Sequence, residues 1–155
     1  MIEYIKGDAT SPQSDNNKII AHIVNTEGKW GSGFVVSLSN KWKEPEEQYR
    51  KWHKEKGSDL ILGSVQFVKV ADDITVANMV GQEGVGMKHG KPPIRYEALR
   101  ECLRKVYEFA NVSNAEVHSP RFGATRAGGD WSVIEEMISV ELISKGVRVV
   151  IYDLV

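Results

Sequence analysis

Apolar residues in this chain fall into two kinds of run. Ile19-Ile20-Ala21 with Ile23-Val24, and the stretch Val147 to Leu154, are nearly continuous, as in strands buried on both faces of a sheet. Elsewhere apolar positions recur every three or four residues, the spacing of a helix with one face on a core. The pattern predicts strands over Glu3–Lys6, Lys18–Val24, Leu60–Val70, Ile74–Met79, Ala115–Ser119 and Val147–Leu154. It predicts helices from Phe34 to about Trp42, from Pro45 to near Gly57, over Ile94–Ala110 and over Trp131–Ile143. Leu99, Cys102, Leu103, Val106 and Phe109 make the clearest stripe. Ala71-Asp72-Asp73 reads as a turn, Lys145-Gly146 as a helix stop, and Gly81–Lys91 as a long mobile loop ended by Pro92-Pro93. Strands alternating with amphipathic helices mean an α/β fold with helices on both faces of the sheet. No repeat, linker or low-complexity segment interrupts it, so residues 1–155 read as one domain.

Two connections are richer in glycine than a plain turn requires. Asn25–Phe34 reads N-T-E-G-K-W-G-S-G-F, and Phe122–Gly129 carries Gly123, Gly128 and Gly129. Each follows an apolar strand and ends at a helix start. Glycines let successive N–H groups converge, and a helix N-terminus adds unpaired N–H donors, so the pair suits a diphosphate, or a phosphate plus a sugar. Lys29, Arg121 and Arg126 lie close by. The plainer alternative is two flexible turns. Trp30, between glycines, reads as a wall of the cleft rather than core. Gly31-Ser32-Gly33-Phe34-Val35-Val36 lacks the third small residue of a dinucleotide fingerprint, and Gly123 to Asp130 lacks the Gly-Lys-Ser/Thr of a P-loop.

Charge and composition narrow the classes. Twenty basic against 21 acidic residues, a net charge of −1, disfavour general nucleic-acid binding. Apolar residues at 41% and charged residues at 26% suit a soluble globular chain, and no run approaches the ~18 apolar residues of a membrane span. Met1-Ile-Glu-Tyr-Ile-Lys shows no signal peptide, and the lone Cys102 reads as a core residue, so a cytoplasmic protein is expected. The four histidines show no metal-ligand spacing; no metal site and no cofactor are expected.

The ordered set Gly7-Asp8-Ala9, His22-Ile-Val-Asn25, Trp30-Gly-Ser-Gly33 and Pro120-Arg-Phe-Gly123 resembles the macrodomain family, which binds ADP-ribose. Pro45-Glu-Glu-Gln-Tyr49, Tyr96-Glu-Ala-Leu99 and Tyr152-Asp-Leu154 extend the resemblance over nearly the whole chain. It is nearest to the branch holding the fungal ADP-ribose 1″-phosphate phosphatase and the vertebrate terminal ADP-ribose hydrolase. The resemblance implies a three-layer α/β/α macrodomain around a central mixed sheet. It implies that Asp8 and Ala9 meet the adenine, with Leu154 near them. Asn25 lies beside the distal ribose. Gly31, Ser32 and Gly33 form the first phosphate loop. Arg121, Phe122, Gly123, Ala124, Thr125, Arg126 and Ala127 form the second.

Hydrolysis at the distal ribose is the activity implied, with a non-catalytic reader of ADP-ribosylated partners as the alternative. His22 matches a histidine of the phosphatase branch and is the first candidate for proton transfer; the other reading is a hydrogen-bonded strand histidine. Asn25 would orient the ribose or a water. Lys88 lies near the nucleophilic lysine of the hydrolase; the plain reading is a solvated loop tip. That hydrolase carries its catalytic aspartate where this chain has Ala127, which favours the reader. Asp130, just before a helix, reads as an N-cap, His118 as structural and His53 as a surface residue.

Overall fold

The computed structural model describes residues 1–87, 90–124 and 127–154. The chain runs β1 (Glu3–Lys6), β2 (Asn17–Asn25), α1 (Phe34–Lys41), α2 (Glu44–Lys54), β3 (Val65–Ala71), β4 (Ile74–Gln82), α3 (Tyr96–Ser113), β5 (Ala115–Ser119), α4 (Trp131–Glu141), a 3-10 turn (Ile143–Lys145) and β6 (Val149–Asp153). The strands form one sheet in the order β1-β6-β5-β2-β4-β3. β1, β6, β5, β2 and β4 are parallel to one another, and β3 alone runs antiparallel, at the edge beside β4. This is the expected three-layer α/β/α arrangement with a mixed sheet.

The period of two along β2 sorts its side chains between layers. Ile19 and Ala21 join the core under α3 and α4, with Met79, Leu99, Leu103, Val117, Ile134, Ile138 and Ile151. Ile20 and Val24 face α1 and α2, with Leu38, Tyr49, Val76, Val80 and Trp30. Each fully buried Ile or Leu contributes about 1.5–3 kcal/mol through loss of apolar surface to water. Lys18 is also buried, and its ammonium donates to Ser14 O, Asn16 O and the Asp73 carboxylate at 2.6–2.7 Å.

Several boundaries differ from the sequence pattern. β3 starts at Val65 rather than Leu60, because Gly63 takes φ +91° and donates its N–H to Val80 O. β4 runs to Gln82, so Gly81 belongs to the sheet and lies against Ile23. α3 starts at Tyr96 and not Ile94, because Arg95 is extended (φ −125°, ψ 104°) and Ile94 forms an antiparallel bridge with Gln82. It ends at Ser113, and Asn114, with a left-handed φ of 52°, caps the C-terminus. The first residues of the supposed mobile loop are tied down: Glu83 N–H donates to Pro93 O and Gly84 N–H to Thr26 Oγ1.

Two glycines of the candidate loops have opposite surroundings. Gly123 sits at φ +79°, and a Cβ there would meet the Cδ1 atoms of Ile23, Ile94 and Ile134 at 2.9–3.1 Å. Around a Cβ built on Gly31 there is nothing within 4 Å. Gly123→Ala is expected to lower unfolding free energy by about 2–4 kcal/mol, from left-handed strain and overpacking. Gly31→Ala is expected to stay within about 0.5 kcal/mol of wild type. Urea denaturation of the two variants checks both, and equal midpoints would refute the contrast.

Candidate functional site

Parallel pairing sends the C-terminal ends of β1, β6, β5, β2 and β4 to one edge of the sheet. In open α/β sheets this is the edge where ligands lie. Gly7-Asp8 follows β1, Leu154 follows β6, Pro120-Arg121 follows β5, and the Asn25–Gly33 loop follows β2. The structure therefore brings together the residues expected at both ends of a long ligand. Asp8 and Asn25 are set three strand spacings apart, roughly 14 Å.

The first loop is held by Asn25. Its Oδ1 accepts from Glu27 N–H (2.9 Å) and Lys29 N–H (3.1 Å), and its Nδ2 donates to Lys29 O (2.7 Å). The buried Tyr49 hydroxyl lies 2.6 Å from Asn25 O and 3.0 Å from Oδ1 and donates to them; burial pushes its pKa up to about 12. One amide thus folds the loop back on itself. Gly31, Ser32 and Gly33 are exposed at its tip. Gly33 caps α1 at φ 81° and offers no side-chain cap to the helix N-terminus, where Val36 N–H donates to Gly33 O (3.1 Å).

Trp30 is not the open wall read from the sequence. It is 7% exposed and lies in the core layer with Tyr49, at 5.6 Å between ring centroids. The reason is a polar anchor: its Nε1–H donates to Ser39 Oγ (2.8 Å), which donates to Glu46 Oε1 (2.8 Å). The sequence pattern does not single out Ser39, and Glu46 enters it only within the stretch Pro45-Glu-Glu-Gln-Tyr49, with no link to Trp30. An indole flanked by helices carrying serine and glutamate is the one signal of them.

His22 is 2% exposed, with Trp30 edge-on at 5.3 Å and Phe34 at 5.8 Å. Asn78 Nδ2 donates to Pro45 O and Gln66 Oε1, so its Oδ1 is the acceptor 2.5 Å from His22 Nε2. The hydrogen therefore sits on Nε2. Burial lowers the pKa to about 4, against a smaller raising effect of Asn78, and the ring is neutral at pH 7. It occupies the layer beneath the first loop.

At the other end, Asp8 Oδ1 accepts from the N–H and hydroxyl of Thr10, both at 2.8 Å. Asp8 is exposed, while Ala9 packs with Val150 and Tyr152. An open depression of about 290 Å³ is lined by Asp8, Thr10, Ser11, Ser37, Asn40 and Lys41. Lys41 closes one side, donating to Thr10 O and Ser11 Oγ. A second depression, about 230 Å³, lies on the opposite edge beside the Lys18–Asp73 pair, away from all of these residues. Leu154 is 81% exposed.

The described part of the second loop is built for packing. Phe122 and Ala127 are each 4% exposed and belong to the α3/α4 core. Gly129 N–H donates to Gly123 O (2.8 Å) and closes the turn. Ala124 is half-buried. The Arg121 guanidinium lies over Tyr4 and Trp131 and pairs with both oxygens of Asp153, at 2.6 and 3.1 Å. Thr125, Arg126, Lys88 and His89 lie outside the described residues. Asp130 is the N-cap of α4, accepting from Ser132 N–H (2.9 Å) and the Ser132 hydroxyl (2.7 Å), and these bonds lower its pKa. His118 is fully buried between Tyr152 and Glu116, a structural position. Among the described residues no three His, Cys, Asp or Glu side chains gather as a metal site requires, and no helix is long and apolar enough to cross a membrane.

No family profile matches the chain. Solved structures match it closely. A macrodomain protein from Streptomyces coelicolor shares 45% identity over 99% of both chains, with a TM-score of 0.88. A protein of unknown function from Bacteroides thetaiotaomicron shares 50% identity over 99% of this chain and 98% of that one, with a TM-score of 0.97. Among curated proteins, the chromodomain-helicase-DNA-binding protein 1-like of Danio rerio is 34% identical over 97% of this chain, which spans only 15% of that protein's length. An ADP-ribose 1″-phosphate phosphatase of Candida albicans is 24% identical over 89% of this chain and 92% of its own.

The buried ring predicts a pH effect. His22 has a folded pKa below its unfolded value of about 6.5, so the unfolded state takes up the proton first and stability falls as pH drops from 6.5 toward 4. His22→Gln, which keeps a donor for Asn78 without a titrating ring, is expected to flatten this fall by about 3 kcal/mol. Urea titrations at pH 7, 5.5 and 4.5 compare the slopes; parallel curves would refute the assignment.

Proposed function

The chain belongs to the macrodomain family, and from that premise we propose that it binds ADP-ribose or a close derivative along the C-terminal edge of its parallel strands. One observation carries this reading: the Asp8 turn, the Arg121–Ala124 segment and the Asn25–Gly33 loop stand in sheet order along that edge. An extended nucleotide placed there has its adenine at Asp8, Ala9 and Leu154. Its pyrophosphate lies on the backbone of the two glycine loops, and its distal ribose lies near Asn25. Backbone N–H groups and the N-terminus of α1 supply the phosphate donors.

The finer reading is hydrolysis at the distal ribose. The 24% identical fungal phosphatase supports release of phosphate from ADP-ribose 1″-phosphate, with water adding to phosphorus and the ribose oxygen leaving. In this assignment Asn25, 5% exposed and engaged with Glu27, Lys29 and Tyr49, acts by positioning the loop beside the ribose. His22 supports Trp30 and Phe34 from beneath. Direct proton transfer by His22 requires those rings to part. Lys88 remains the candidate nucleophile for a hydrolase of another linkage. Ala127, where the hydrolase carries an aspartate, favours the second reading, a reader without turnover.

Phosphorus NMR of ADP-ribose 1″-phosphate with the purified protein separates these readings. Shifted pyrophosphate lines with growing inorganic phosphate support the phosphatase. Shifted lines without phosphate leave a reader or a hydrolase of another linkage. Unshifted lines overturn the binding proposal. Gly31→Val is expected to keep the fold and weaken ADP-ribose binding at least about tenfold by filling space above the loop backbone. Isothermal titration checks it, and unchanged affinity would remove Gly31 from the phosphate contact.

A further inference from the structure

Three residues of α2, at positions i, i+3 and i+4, hold three points of the first loop. Tyr49 binds Asn25 O, Arg50 Nη1 reaches Gly28 O at 3.4 Å, and Glu46 receives Trp30 through Ser39. This spacing places all three on one face of the helix. The chain of bonds through Glu46 has a fixed direction. Indole and guanidinium groups only donate. Trp30 Nε1–H therefore donates to Ser39 Oγ, Ser39 donates to Glu46 Oε1, and Arg50 Nε–H donates to Glu46 Oε2 at 2.9 Å. Glu46 is the acceptor on which both branches end.

As a surface ion pair, Glu46–Arg50 contributes little, since both side chains are partly exposed. Its effect comes from what it fixes. Trp30 is buried and immediately precedes Gly31-Ser32-Gly33, which are exposed at the loop tip. The nearest fixed points of that tip are the Trp30 indole on one side and α1 on the other, and Ser39 of α1 joins the two.

We propose that Glu46 is a positioning residue for the first loop, setting the conformation in which its backbone receives the phosphate and distal-ribose end of ADP-ribose. The inference rests on the binding reading above. Glu46 acts through Ser39, Trp30 and Arg50 and touches no ligand. With one acceptor oxygen removed, either the Arg50 guanidinium faces an amide N–H or the Ser39 hydroxyl turns its hydrogen away and accepts from both sides; each change weakens the tether, and the loop tip gains freedom that binding must then remove.

Glu46→Gln is the discriminating variant, because it keeps volume and removes one acceptor. Glu47→Gln removes the same charge from the same helix turn and touches none of these partners, so it controls for the dipole effect. Two measurements are made on all three proteins. The first is amide hydrogen exchange of the unliganded protein: Glu46→Gln is expected to speed exchange severalfold over residues 26–33 while β2 and β4 keep wild-type protection. The second is calorimetric affinity: Glu46→Gln is expected to bind ADP-ribose about tenfold more weakly and AMP, which lacks the second phosphate and the distal ribose that the first loop receives, as wild type does. Ser39→Ala should reproduce both effects. Unchanged exchange in residues 26–33, equal losses for ADP-ribose and AMP, or the same losses in Glu47→Gln would each overturn the proposal. A wild-type protein that binds no ADP-ribose, with the exchange effect present, would overturn the binding reading and leave the loop tether standing.

Discussion

Parallel pairing of five strands is the constraint from which the rest of this molecule follows. A parallel pair cannot be closed by a tight hairpin, so each connection must cross a face of the sheet. The crossings are α1 with α2 on one side and α3 with α4 on the other, and they bury both faces of β2 and β4. The same pairing points the C-terminal ends of β1, β6, β5, β2 and β4 one way. Five loops from distant parts of the sequence then share an edge, and this brings Asp8, Asn25, Arg121 and Leu154 into one neighbourhood although up to 146 positions separate them.

Polar groups inside the α1/α2 layer give that edge its shape. His22 and Asn78 hold each other and the backbone at Pro45; Tyr49 and Asn25 hold the turn after β2. Buried polar atoms left without partners are costly, so such a set favours one arrangement over its neighbours. No buried side-chain nitrogen or oxygen among the described residues lacks a hydrogen bond. The layer beneath the first loop is therefore fixed by direction as well as by packing.

The elements were legible in the sequence because their periodicity is strong: β2, α3 and β6 follow directly from the spacing of their apolar residues. Boundaries were less legible where tertiary bonds intervene. Ile94 and Arg95 have helical pattern but are held extended by pairing with Gln82 and Gly81, and no local signal reports that. The site was legible at its glycines, and less so in the division of labour among its other residues. Trp30 lies between glycines and suggests an exposed wall, yet a serine nine positions on draws its indole inward. Gly123 suggests ligand approach, yet three isoleucine methyls already fill the space a side chain would need. In both cases the decisive partner lies on another element, beyond the reach of a pattern read along one segment.

Cys102 has a practical consequence of a different kind. Its thiol is buried among Leu99, Leu103 and Val106, close to Ser64 O and Val80 O, and burial pushes its pKa to about 12. The thiolate is the reactive form, so at neutral pH the only native cysteine is silent toward maleimides and other electrophiles. A single cysteine introduced at an exposed position of the ligand edge would therefore take a dye or spin label alone, in the otherwise wild-type chain, and distances along the cleft become measurable in solution without first removing a core residue.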